Sequence, residues 1–198
     1  MSLAGSPTAQ PPESLLVLGL GNVLCGDDGL GIEAVHRLQR DYELPDAVQV
    51  LDGGTLGLSL LSYLAEAQAV LLVDAIRAEG APGTLVRLVG EEVAPAVRDR
   101  LSVHQVGVAD LLDGLRLIDA YPAVMILHGL VPATLELGLE RSPGVEARLP
   151  ELVAAVAAEV EALGFPLQRK VKDELHRPAD LGLVGCRRAA PELRAGGL

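Results

Sequence analysis

The chain has 198 residues and suits one domain with a substantial core, which leaves little room for a second. Hydrophobic residues make up 49% of it and aromatics only 2%, so the core is built from Leu, Val, Ile and Ala, a composition that favours buried parallel strands and amphipathic helices over an all-β sandwich. The formal charge of −11 excludes a basic phosphate-neutralising face, and no nucleic-acid partner is expected.

The opening "MSLAGSPTAQPPES" has neither the basic start nor the apolar stretch of a signal peptide, and reads as a disordered leader over residues 1–14. Leu15–Leu20 is a first strand, and Gly29–Tyr42 carries Leu30, Ile32, Ala34, Val35 and Leu38 at helical spacing. A turn at Leu44–Asp46 leads to a strand over Val48–Leu51, which stops at Gly53–Gly54; Thr55 then caps a helix running through Leu56–Glu66. "AVLLVDAI" is the strongest strand, a continuous apolar run of the fully buried kind. "RAEGAPGTLVRLVG" returns to strand character too soon for a helical crossover. Thr84–Val89 is therefore expected antiparallel to its predecessor at a sheet edge, where the alternation through Leu85, Arg87 and Val89 suits one wet face. Gln105–Ile118 reads as a helix, "AVMILHGLVP" as the last strand, and Leu149–Leu163 as a helix stopped by Gly164.

Strands alternating with helices imply a single-domain three-layer α/β/α fold, with a mostly parallel, twisted five-stranded sheet and one antiparallel edge strand. The domain is expected over residues 15–164, followed by a loosely ordered tail over 165–198. The two cysteines, Cys25 and Cys186, form no CxxC pair, which disfavours a disulfide framework and makes the cytoplasm the simplest setting. No apolar stretch reaches the roughly 18 residues of a membrane span, so no membrane partner is expected.

Ligands of an open α/β sheet bind beyond the carboxyl ends of its strands. Those ends carry "GNVLCGDD", Asp52–Gly54, Asp74 and His128–Gly129, and "LSVHQVGVADLL" adds Ser102, His104 and Gln105 at a helix start. Asn22, Asp28, Asp74 and His104 are thereby candidates for one cleft. Each also has a plain structural role available. Asp28 suits a helix start; Asp74 can cap the turn after its strand; His104 can be a satisfied helix-start histidine. His128 follows an apolar run and reads as structural, and Cys25 as a half-buried filler with no basic neighbour to activate it. Asp27 is read as solvated at its turn, and Asp52 as tying its own. "GLGNVLCG" is a weak dinucleotide signal, and Asp27–Asp28 would face a pyrophosphate with the wrong charge, so no nucleotide cofactor is expected. Two carboxylates and an imidazole instead suit a divalent transition metal, held less tightly than by thiolates.

The blocks "LGLGNVLCGDDGLG", "VQVLDGGTLGLSLL", "LLVDAI…APGTL", "LSVHQVGVADLL" and "HGLVPATLELGLERSPGVEARLPELV" resemble, in order, the signature blocks of the nickel–iron hydrogenase maturation proteases, from about Leu15 to Gly164. The resemblance implies an endopeptidase that trims the C-terminal extension of a hydrogenase large-subunit precursor after nickel insertion, the nickel being carried by the substrate. It also implies Asp28, Asp74 and His104 as the metal-contacting positions, a set that other divalent metals can occupy as well. Asp28 and Asp74 are the catalytic candidates; Asn22, Gly53, Gly54 and Gln105 are the expected substrate-binding positions. Many members of the family carry glutamate where Asp28 stands. Neither a GxSxG elbow nor an HExxH helix occurs, which argues against a serine hydrolase and a standing zinc protease. The rival reading is a non-hydrolytic metal-sensing or metal-binding α/β module using the same three residues. Oligomeric state is open.

Overall fold

The computed structural model describes residues 11–54, 57–98 and 106–170. In chain order the elements are β1 (Leu15–Leu20), α1 (Leu30–Asp41), β2 (Tyr42–Glu43), β3 (Val48–Gly54), α2 (Leu61–Glu66), β4 (Ala69–Ala75), β5 (Leu85–Val89), α3 (Val93–Arg98), α4 (Val106–Leu117), β6 (Val124–Leu130), α5 (Pro143–Ala162) and β7 (Gln168–Arg169). The main sheet has five strands in the order β3–β1–β4–β6–β5. All its pairings are parallel except β5 with β6. The expected fold class is the observed one.

The continuous apolar runs of β1 and β4 follow from burial on both faces. Leu15, Val17, Leu71 and Val73 pack with α1 and α5, whereas Leu16, Leu18, Val70 and Leu72 pack with α2, α3 and α4. Glycine lets α1 come down onto the sheet: a methyl group at Gly31 would overlap the carbonyl oxygens of Val73 and Leu20.

Several boundaries differ from the sequence reading, each for a local reason. β5 lies at an edge and runs antiparallel, but its bonded neighbour is β6, which sits between it and β4. β3 continues through Gly54, because its backbone still pairs with β1 there. The helix expected from Leu56 begins at Leu61, after a 3₁₀ turn over Gly57–Leu60; its expected cap, Thr55, lies outside the described residues. α3 was not apparent in the sequence. It buries Val93, Ala94 and Val97, and Pro95 stands in its first turn, where a missing amide costs no internal bond. α5 starts at Pro143 rather than Leu149 and carries Pro150 inside it. Burial of Val145, Leu149, Leu152, Val153 and Val156 outweighs the one backbone bond that Pro150 forgoes.

Past Gly164, where φ of +100° ends α5, the chain stays attached for a few residues. Phe165 is buried in the core, β7 pairs antiparallel with β2, and Lys170 Nζ donates to the Gln39 carbonyl at 2.8 Å. Residues 171–198 lie outside the described residues.

Candidate functional site

The sheet order fixes where a crevice forms. β1 leads through α1 to β3 on one side, while β4 leads to β5 and β6 on the other. The connections diverge at the adjacent carboxyl ends of β1 and β4, which is the topological switch point where α/β sheets bind ligands. Asp28 follows β1 and Asp74 lies at the end of β4, paired in register with Gly129 of β6. The 3₁₀ turn Gly26–Gly29, which carries Asp28, packs directly against β4. The fold thus brings these two aspartates, distant in sequence, to one rim of the sheet, both buried.

The glycine turn resolves the conflict between its nucleotide-like shape and its acids. The Asn22 N–H donates to Asp28 Oδ2 at 2.8 Å, so an amide that would face a phosphate in a dinucleotide turn is taken by the chain's own carboxylate. Gly21, at φ +128°, has no room for a side chain, because a methyl would strike the Asp28 carbonyl. Asn22 closes the turn with its side chain, Oδ1 accepting from the Leu24 N–H at 3.0 Å. Asp74 Oδ1 accepts from the Ala75 N–H at 2.7 Å, at a position fully enclosed by the sheet.

Gly54 reaches the same rim, since its carbonyl accepts from the Gly21 N–H at 3.4 Å. Gly53 packs without a side chain against Leu18 and Leu20. His104 and Gln105, with Ser102, fall outside the described residues. Two of the three expected metal contacts therefore have a place in the structure, and among the described residues no group of three His, Cys, Asp or Glu is arranged to hold an ion.

Asp27 corrects the sequence reading, which left it solvated. It is completely buried. Its Oδ2 accepts from Ala133 N–H at 2.8 Å, Thr134 N–H at 3.2 Å and the Ser142 hydroxyl at 2.8 Å, and its Oδ1 accepts from Ser142 N–H at 2.7 Å. One side chain thus clamps the β6–α5 loop onto the glycine turn. Main-chain bonds add to the clamp: Gly26 N–H donates to Gly138 O at 2.7 Å, and Gly138 N–H to Leu24 O at 2.9 Å. No local signal could have shown this, because the partners are more than 100 positions away.

The other polar residues sort as follows. His128 is buried on the α5 side of β6, with Nε2 2.8 Å from Glu159 Oε2; Glu159 also accepts two bonds from Arg87, at 2.6 and 2.9 Å. The Arg87 guanidinium, aided by His128, holds the Glu159 carboxyl down at about 2 against the opposing effect of burial. This network joins α5 to the edge strand and takes no part in the rim, in keeping with a structural His128. Cys25 is half-buried and free. Asp52 is exposed and lies 3.3 Å from His36 Nε2 rather than closing its own turn.

A family model for hydrogenase maturation proteases matches residues 32–159, a stretch that includes Asp74 and His104 and begins just after Asp28. The chain is 38% identical over 151 residues to the hydrogenase 2 maturation protease of Escherichia coli, covering 76% of this chain and 92% of that protein. It is also 38% identical over 161 residues to the hydrogenase expression/formation protein HupD of Rhodobacter capsulatus, covering 80% of this chain and 76% of that one. Among solved structures, the hydrogenase maturating endopeptidase HybD from Escherichia coli superposes with a TM-score of 0.76 at 36% identity, covering 79% of this chain and 98% of that chain. The strand order, the glycine turn and these likenesses agree: the chain belongs to the hydrogenase maturation protease family.

Proposed function

We propose that the protein is an endopeptidase that removes the C-terminal extension of a nickel-loaded [NiFe] hydrogenase large-subunit precursor in the cytoplasm. The reading rests above all on two buried aspartates, Asp28 and Asp74, at adjacent strand ends of the switch point, in a chain of this family. Carboxylates at the strand ends of an open α/β sheet are hard oxygen donors placed where such sheets bind their ligands, and they suit a divalent cation. Nickel carried by the precursor supplies that cation, and His104 completes a donor set of two oxygens and one nitrogen suited to it. On this reading Asn22, Gly53, Gly54 and Gln105 are the substrate-binding positions.

Docking the substrate's metal against Asp28, Asp74 and His104 fixes the scissile bond in the cleft, an orientation effect that can contribute several kcal/mol. Water, activated by the ion or by one of the two aspartates, adds to the peptide carbonyl carbon. The C–N bond then breaks, and the proton removed from water passes to the departing amine.

The test is processing of a purified nickel-loaded precursor, followed by the mass of the large subunit. Asp28→Ala, Asp74→Ala and His104→Ala are each expected to slow removal of the extension by about 100-fold or more, and metal-free precursor is expected to stay uncut. Normal trimming by all three variants would refute the site. Normal trimming of the apo precursor would remove nickel from recognition.

A further inference from the structure

Among the described residues the large hydrophobic side chains left in solvent are Val23, Leu24, Tyr63, Val89, Leu117, Ile118, Leu137 and Leu139. Half of these belong to two loops far apart in sequence: Val23 (53% exposed) and Leu24 (54%) follow β1, and Leu137 (85%) and Leu139 (76%) follow β6. The two loops are joined at Cys25 and Gly138 by a single parallel bridge, and the Gly138 N–H donates to the Leu24 carbonyl at 2.9 Å. Asp27 and the Gly138 main chain fasten them, so the two loops that carry these four exposed aliphatic side chains are held against each other on a fixed frame. An apolar surface of this kind, rimmed by polar groups, marks a site of association. Because the frame is already ordered, little loop entropy is lost when a partner binds.

Two observations indicate the partner. The rim is acidic, with Glu136 and Glu140 exposed on either side of the leucines, in a protein of net charge −11. The patch is also continuous with the candidate site: the turn bearing Val23 and Leu24 is the one whose Asn22 amide holds Asp28. We infer that Val23, Leu24, Leu137 and Leu139 form a docking surface for an apolar segment of the precursor protein flanked by Lys or Arg. The inference rests on the protease reading above and adds the place where the substrate protein is gripped beside the cleavage site. The leucines contribute apolar burial, and Glu136 and Glu140 attract the flanking cations and raise the rate of encounter.

The experiment measures both binding and cleavage with nickel-loaded precursor, using the full chain and the variants Leu137→Ser/Leu139→Ser and Glu136→Lys/Glu140→Lys. These side chains are exposed, so the fold tolerates both pairs, and an unchanged melting midpoint is the control. The serine pair is expected to weaken precursor binding and raise KM by about 10-fold or more, with kcat within about twofold. The lysine pair is expected to weaken binding at low salt and to flatten its salt dependence. Unchanged Kd and KM in both variants would overturn the inference. Wild type that binds but never cuts would sink the protease reading while leaving the docking surface to be decided by the variants' Kd. Sedimentation is run in parallel: a wild-type dimer that the serine pair converts to monomer would assign the patch to a second copy of the chain and overturn the precursor as its occupant.

Discussion

Asp27 and Glu159 are both carboxylates withdrawn from water, and the protein satisfies them in opposite ways. Asp27, on the site rim, is held by uncharged donors: three backbone amides and one hydroxyl. Glu159, on the α5 side of the sheet, is held by a bidentate arginine and a histidine. Backbone donors fix two loops relative to each other and are indifferent to salt, so the arrangement suits a surface that has to present a constant shape. Arg87, by contrast, is half exposed, and its grip depends on charge. The rim is built for geometry, and the flank is fastened electrostatically.

The sharpest way to break this contrast is Asp27→Ala. It leaves the amides of Ala133, Thr134 and Ser142 without their acceptor, and a cost of about 3 kcal/mol or more is expected. In a thermal melt that corresponds to a fall on the order of 10 °C for a chain of this size. A change of a degree or two would mean that water replaces the carboxylate and that the clamp is dispensable. Next in size is Glu159→Gln. The folded-state carboxyl lies near 2, below its ordinary value of 4.5, so its stabilisation is present above pH 4.5 and is lost as pH falls toward 2. With allowance for the partial exposure of Arg87, the variant is expected to lose about 2 kcal/mol at neutral pH. It should also show a flatter stability profile than wild type between pH 4.5 and 2. An identical acid profile would show that this carboxylate is not what titrates. The smallest effect is expected from Arg87→Ala, about 1 kcal/mol at low salt, shrinking further in molar salt. Denaturant midpoints at two ionic strengths would measure it, and a salt-independent loss would point to packing of the arginine stem instead.

Much of the architecture was written in local patterns. The unbroken apolar run of β4 announced a strand buried on both faces, and the spacing of Leu30, Ile32, Ala34, Val35 and Leu38 announced α1. The same reasoning put Asp28 and Asp74 at one rim, since both follow parallel strands and the ends of such strands share a side. It failed where the cause is tertiary. α5 was read only from Leu149, whereas the helix starts at Pro143 and runs through Pro150 because its buried face outweighs the bond the proline forgoes. α3, a helix of six residues with three buried side chains, was too short to show a periodic pattern. Asp27 looked identical to its neighbour in composition and setting, and only the return of a loop 106 positions later gave it a role.

Strand order carries one more consequence, for the moment of synthesis. β4 and β5 leave the ribosome in succession, but the strand that belongs between them, β6, is made later. A nascent chain that ends before Val124 lacks the native neighbour of Asp74 on that side, and a hairpin of β4 with β5 would have to open before β6 could enter. The loop that Asp27 fastens arrives later still. The half-made polypeptide therefore has no finished cleft, and the last strand to be inserted also completes the rim.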